Sequence, residues 1–247
     1  MTKTKTQRNW LSPLNIPEGE IGDYAIKHLL IPAGQKVMLN NFRNQLYGRQ
    51  KGPHSLIYDV ETRWHKLIGP TGTWMTDLPV EQRQMEECLK GVNGRVLVGG
   101  LGLGLAASIL AKKRTIKEVL VVELSQEVME LVWPHTNKGR WDKRRNRWTS
   151  ECIVKDLLAF LLEFDEEPFD YAFYDIWQSD SETTFFDVVL PLLQLSKNKV
   201  KHPPICWNET VMRGQLFSSI QTRLLFLKPE VKDQFPEQVE LTNKYPL

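Results

Sequence analysis

Residues Arg95–Glu123 read RVLVGGLGLGLAASILAKKRTIKEVLVVE. Four glycines fall within six residues, Gly99 to Gly104, directly after an apolar run, and the next apolar run ends on a carboxylate, Glu123. RVLVGG and EVLVVE have no polar alternation, which predicts strands buried on both faces, and LGLAASILAKK between them predicts a helix rich in small residues. The pattern continues downstream with helical SQEVMELVWPH, strands ECIVKD, DYAFYD and PPICWN, and amphipathic helices TTFFDVVLPLLQL and QLFSSIQTRLLFL. Near-continuous apolar strands alternating with helices predict a parallel sheet covered on both faces.

Upstream the period changes. Between about Tyr24 and Asp77, KVMLNNF, HSLIYDV, WHKLIG and TWMTD are short strand-like runs separated by turn residues, which predicts a small element of β-hairpins with Trp64 and Trp74 in its core. LPVEQRQMEECLKG then has helical spacing, with Leu78, Met85 and Leu89 on one face and Gly91 closing it. The expected organisation is an N-terminal extension and β-hairpin element over 1–77, then an α/β, Rossmann-like domain over 78–247.

Composition narrows the classes. The chain has 247 residues, 41% hydrophobic and 25% charged, as expected of a globular chain with a real core. Its formal net charge of +2 supplies no global field for nucleic acid or an anionic membrane. No apolar run reaches the roughly 18 residues of a membrane span, and MTKTKTQRNW has no apolar signal core. Cys88, Cys152 and Cys206 are odd in number, far apart and set among apolar neighbours, so buried thiols in a reducing cytoplasm are expected. None of the five histidines has a partner at zinc spacing, and no metal site is expected.

In open α/β sheets ligands bind beyond the carboxyl ends of the strands, so those ends map the candidate site. At the first end stand Gly99, Gly100, Gly102 and Gly104, where the absence of Cβ lets the chain turn tightly and lets a ligand approach the main chain. At the second is Glu123, 19 residues after Gly104, a carboxylate able to accept both hydroxyl protons of a ribose. Asp156 closes the third strand and Asp175 the fourth. A single acid at such an end is readily a helix N-cap, and Asp156 before LLAFLLEF suits that role; three in succession point to a ligand site.

This combination resembles the class I S-adenosylmethionine-dependent methyltransferases over about Gly94 to Asn208. Their G-x-G-x-G motif corresponds to Gly100-Leu101-Gly102-Leu103-Gly104, with acids closing strands two and three at Glu123 and Asp156. The resemblance implies that the glycine loop holds the methionine part, Glu123 the ribose and Asp156 the adenine amino group, with Leu124 and Leu157 flanking the adenine. Within that superfamily the order of β element, acid-bearing helix and nucleotide fold resembles the spermidine synthase-like branch, which implies Asp175 as the base that deprotonates an attacking amine. The chain departs from that branch where the loop acid is replaced by Leu103, where the Tyr-His pair of the helix is replaced by Gln84 and Met85 with the following acid kept as Glu86, and where Ile176, Trp177 and Gln178 follow the base.

The expectation is therefore a transferase using S-adenosylmethionine or its decarboxylated analogue, moving a methyl or aminopropyl-like group to a small polar amine or hydroxyl acceptor. Asp175 would be base or orienter, beside Trp177, Asp180 and Glu209 as candidate acceptor contacts, each of the two latter acids equally readable as a solvated loop charge. Two alternatives are a catalytically silent member that binds nucleotide or a partner, and a lyase consuming the sulfonium without an acceptor. An NAD-dependent oxidoreductase is the rival outside the family, since Gly102-x-Gly104-x-x-Ala107 also satisfies G-x-G-x-x-A. The basic segment Lys138–Trp148, KGRWDKRRNRW, carries six cations, one acid and two tryptophans. A solvated loop with tucked tryptophans is favoured there over a nucleic-acid grip. The short C-terminus leaves room for little more than one further strand, so an open sheet edge covered by a second copy is a further expectation.

Overall fold

The computed structural model describes residues 11–38, 55–139, 141–142 and 147–226. The chain divides into two compact units, Met1–Ile176 with Leu195–Ile205, and Trp177–Gln194 with Cys206–Leu247.

The first unit opens with an antiparallel sheet of β1 (Gly19–Ile21), β2 (Tyr24–Ile31), β5 (Thr62–Gly69) and β6 (Gly72–Thr76), in the order β1-β2-β5-β6, while β3 (Lys36–Met38) pairs with β4 (Ser55–Ile57). Both faces of β5 carry buried side chains: Leu67 stands opposite Ile26 on one, while Trp64 on the other packs with Ile31 and Tyr58. Trp74 departs from expectation. It is 42% exposed, because it lies on the edge strand β6, where its indole stands edge-on to Tyr24 and donates to Thr71 Oγ1 at 3.2 Å.

A buried polar cluster ties the segment before β1 to this sheet. Asp77, fully buried, accepts from the His65 backbone N–H at 2.6 Å, meets His65 Nδ1 at 2.8 Å and accepts from the Ser12 hydroxyl. The Ile16 N–H donates to His65 Nε2 at 3.3 Å, so Nδ1 is the nitrogen that carries the proton toward Asp77. Serine lies on the carboxylate side of the imidazole and Nε2 faces a backbone amide, an order that clasps chain segments rather than activating a nucleophile.

Helix α1 (Pro79–Cys88) follows, with proline at its first turn, where the missing N–H is of no consequence. It buries Pro79, Gln82 and Met85, and Leu89 just beyond it is also buried. Cys88, in its last turn, is exposed and not buried as expected, because it falls off that inward stripe.

The parallel sheet is built from β7 (Gly94–Gly99), β8 (Ile116–Glu123), β11 (Ser150–Val154), β12 (Tyr171–Tyr174) and β13 (Ile205–Cys206), in the order β11-β8-β7-β12-β13. Helices α2 (Leu105–Ala111), α3 (Gln126–Val132) and α4 (Leu157–Glu163) connect its strands. This is the expected Rossmann-like α/β architecture. Val96, Leu97 and Val98 are buried on successive faces, as are Val121 with Val122 and Ala172 with Phe173, which is why these strands read as unbroken apolar runs. Burial pushes the thiols of Cys152 and Cys206 up to about 12, so neither is a thiolate nucleophile near neutrality.

In the segment Lys138–Trp148 a short antiparallel pair forms between β9 (Trp141–Asp142) and β10 (Arg147–Trp148), where a loop was expected; Arg140 and residues 143–146 lie outside the described residues. The C-terminal strand expected after the last helix falls within 227–247, also outside them.

The described residues of the second unit are mainly helical. TTFFDVVLPLLQL forms α5 (Glu182–Thr184), a π-helical turn over Phe185–Val189 and α6 (Leu190–Leu195), and α7 (Glu209–Phe226) follows. Phe185, Val189 and Met212 are buried, and the Arg213 guanidinium lies 4.7 Å from the Phe185 ring centroid. Among the described residues no helix is long and apolar enough to cross a membrane.

Candidate functional site

Strand register aligns the carboxyl ends. Val154 stands opposite Glu123, Gly99 opposite Val122, and Tyr174 opposite Gly99. The chain order reverses at β7, since β8 and β11 lie on one side of it and β12 on the other. Open α/β sheets hold their ligands at such a reversal, which here falls at the ends of β7 and β12.

The glycine loop stands at these strand ends, and its fixed neighbours explain the residue type. The Gly100 N–H donates to Val122 O at 2.9 Å, and φ there is 91°. A Cβ at Gly100 would lie 2.3 Å from the Asp175 carbonyl oxygen. At Gly102, with φ 51°, a Cβ would lie 2.6 Å from Met75 Sδ, and at Gly104 2.4 Å from Thr136 Oγ1. Bare backbone is therefore required by protein atoms from three separate segments, two of which, Met75 and Thr136, local sequence reading gave no means of finding.

Glu123 joins the loop to the next strand. It is 9% exposed; Oε2 accepts from the Leu101 N–H at 2.7 Å and Oε1 from the Ser125 N–H at 2.9 Å. Each carboxylate oxygen has further lone-pair capacity, so the group can still receive ribose hydroxyls beside the loop. The expected juxtaposition of glycine loop and strand-two acid is present. Ser125 in turn caps α3 through Val128 N–H, which fixes where the chain leaves the strand.

The adenine-side residues divide. Leu124 is 70% exposed directly after Glu123, an apolar surface left open at the strand end. Leu157 is buried, with its Cδ2 2.3 Å from where a Gly99 Cβ would stand. Asp156 is exposed and caps α4 by accepting from Ala159 N–H at 2.8 Å through Oδ1.

Asp175 follows β12 immediately. Its N–H donates to Gly99 O at 2.9 Å, so the main chain presses it against the loop. The Asp175 carboxylate also reaches α1 electrostatically: desolvation raises the Cys88 thiol, with Glu87 and then Asp175 adding to it. In the second unit, Asp180 Oδ2 accepts from Asn208 Nδ2 at 2.9 Å, Glu209 Oε1 accepts from Arg213 Nε at 2.7 Å, and the buried Trp177 Nε1 has no hydrogen-bond partner among the described residues. The two acids thus serve links internal to that unit.

Glu81 is a carboxyl that the sequence did not single out. Its Oε2 accepts from the Thr76 N–H at 3.0 Å and the Thr76 hydroxyl at 2.8 Å, pinning the backbone next to Met75. Desolvation outweighs these bonds and lifts its pKa to about 7. Because the folded value lies above the unfolded one, the contribution is present in full below about pH 4.5 and is lost as pH rises through about 7. Glu81→Gln is accordingly expected to be more stable than the parent at pH 8, by up to ~3 kcal/mol, and to show no gain at pH 4. Thermal melts at the two pH values check this, and an equal effect at both contradicts it.

No family model matches the chain. Among curated proteins, polyamine aminopropyltransferase 2 of Caldanaerobacter subterraneus subsp. tengcongensis is 34% identical over 82 residues, covering 33% of this chain and 26% of that protein. The chain resembles the spermidine synthase-like branch of the class I S-adenosylmethionine-dependent methyltransferases. The matched stretch spans about a quarter of that relative's length. Among solved structures, spermidine synthase from Thermotoga maritima is 14% identical with a TM-score of 0.37, covering 56% of this chain and 49% of its own. A putative caffeoyl-CoA O-methyltransferase from Staphylococcus aureus is 14% identical with a TM-score of 0.38, covering 67% and 71%.

Proposed function

We propose that this chain is an S-adenosylmethionine-dependent transferase that moves a methyl, or aminopropyl-like, group to a small polar amine or hydroxyl acceptor. The observation that carries the reading is the meeting of three strand ends: the Asp175 main chain lies against Gly99 and Gly100, and Glu123 binds Leu101 of the same loop. The adenosyl fit rests on Glu123, whose oxygens retain acceptor capacity beside the loop, and on the apolar Leu124 surface left open next to it. The short match to a protein named polyamine aminopropyltransferase supports the same donor class.

The donor supplies an activated carbon on a sulfonium, and the transfer is an in-line displacement. What the protein must provide is alignment, since holding nucleophile and carbon in line is the dominant contribution in such reactions. Asp175, held at the reversal of strand order, would orient the acceptor and take its proton at a carboxylate oxygen. Glu123 would hold the ribose, and Asp156 and Leu124 would border the base.

Incubation with isotopically labelled S-adenosylmethionine and candidate amines, followed by mass analysis of the nucleoside product, tests the reading. S-adenosylhomocysteine with a methylated acceptor is the expected result. Methylthioadenosine as sole nucleoside product would indicate propyl transfer or lyase chemistry. Unchanged donor across amine and hydroxyl acceptors would overturn the transferase reading in favour of a binding protein.

A further inference from the structure

We propose that the cleft at the amino ends of β7, β8 and β12 is a second binding site, for a phosphate dianion that is either free or carried on a small molecule. It lies at the opposite end of the parallel strands from the glycine loop. Strand β7 has six residues, running from Gly94 in this cleft to Gly99, which separates the two places by roughly 17 Å. The inference is therefore independent of the adenosyl reading.

The cleft has a volume of about 520 Å³, and its lining includes Lys90, Gly91, Asn93, Gly94, Thr115 and Lys117. One wall is the crossing from α1 to β7. The Lys113 ammonium, just beyond α2, donates to three carbonyls of that crossing: Leu89 O, Lys90 O at 3.0 Å and Val92 O at 3.2 Å. A trans peptide sets its N–H opposite its C=O, and the described peptides are all trans. The N–H groups of Gly91 and Asn93 are thereby turned away from Lys113. Neither has an acceptor among the described residues, and both residues line the cleft whereas Lys113 does not. Two amide donors are thus held ready by the carbonyls that precede them.

Charge decides the class of ligand. Lys90 and Lys117 bring ammonium groups on exposed residues. Lys117 makes no ion pair among the described residues. Lys90 has Glu87 3.8 Å away, with both side chains 77% exposed, and a pair so solvated contributes little. The carboxylate in the lining, Asp170, is already engaged on both oxygens: Oδ2 accepts from the Arg95 N–H at 2.7 Å, and Oδ1 pairs with Lys201 Nζ at 2.9 Å. Donors and positive charge are left over, so an anion gains here and a cation does not. Phosphate suits the lining better than a carboxylate, because its several oxygens can accept from amides and ammonium groups together and it brings about two charges. The volume is that of a small-molecule site, which leaves room for a body beyond the phosphate.

The test is titration of the isotope-labelled full chain with sodium phosphate, ribose 5-phosphate and ribose, followed by amide NMR at constant ionic strength and about pH 8, where phosphate is a dianion. The amide resonances of Gly91 and Asn93 are expected to shift saturably with phosphate and with ribose 5-phosphate, and to stay in place with ribose. Lys90→Gln and Lys117→Gln, on exposed side chains, are each expected to weaken the binding by up to about 5-fold. Lys27→Gln, on the antiparallel sheet, should leave it unchanged. Tighter binding of ribose 5-phosphate than of phosphate assigns the site to a phosphorylated small molecule, and equal binding assigns it to the free ion. Shifts that do not saturate, a matching response to ribose, indifference to both Lys90→Gln and Lys117→Gln, or an equal loss in Lys27→Gln would overturn the inference.

Discussion

Asp175→Asn is expected to lower turnover by roughly 10²–10⁴-fold while leaving affinity for adenosyl ligands within a few-fold. The separation follows from how the residue is held. Its N–H donates to Gly99 O, and its carbonyl oxygen lies against Gly100, so the main chain fixes its position independently of the side-chain charge. Asparagine preserves shape and hydrogen-bonding reach but cannot take a proton at neutral pH. The nucleotide contacts assigned to Glu123 and Leu124 belong to the end of β8, which β7 separates from β12 in the sheet. Initial rates and equilibrium titration on the same preparation check the split. A parallel loss in both would mean that Asp175 braces the loop and does not act on the acceptor.

The part of this arrangement legible in the sequence is the part written in consecutive residues. Strands β7, β8 and β12 are largely buried on both faces and so appear as apolar runs, each ending where a glycine or an acid interrupts the run, whereas the edge strand β11 leaves Glu151 and Val154 exposed. Register then does the rest: parallel pairing of Gly99 with Val122 and of Val154 with Glu123 brings the run ends into one row. Glu123 and the glycine loop meet for that reason, as the spacing implied.

What stayed hidden depends on contacts between distant segments. Met75 reaches Leu103 across 28 positions and His65 reaches Ser12 across 53, and neither leaves a periodic mark. Trp74 and Cys88 show a different limit. Both sit in apolar company in the sequence, yet one lies on an edge strand and the other in the last turn of a helix, where apolar neighbours do not guarantee cover. The π-helical turn at Phe185–Val189 interrupts a stretch whose spacing reads as a single helix, since one added residue in a turn barely alters an apolar stripe. The cap of α4 by Asp156, which bonds Ala159 N–H through Oδ1, is the reading of that acid that its place before an apolar helix made legible.

Gly100→Ala is expected to destabilise the first unit by roughly 2–6 kcal/mol, the sum of two costs of about 1–3 kcal/mol each. One is conformational: φ of 91° at this position is a backbone state that side chains with a Cβ rarely adopt. The other is steric. The new methyl would stand 2.3 Å from a main-chain oxygen of Asp175, which is not the far end of a flexible side chain and yields only if β12 slides relative to β7. Such a slide also disturbs the Asp175 N–H to Gly99 O bond, so the loss of stability and the loss of any turnover should come together in this variant, unlike in Asp175→Asn. At ~2–4 °C per kcal/mol for a chain of this size, the expected fall in melting temperature is about 10 °C. Gly91→Ala is the matching control, because a Cβ there meets nothing within 4 Å, and it should leave the melting temperature within about 2 °C. If Gly100→Ala melts with Gly91→Ala, the loop has room that this packing denies it, and the case for glycine at the end of the first parallel strand would have to rest on a ligand alone.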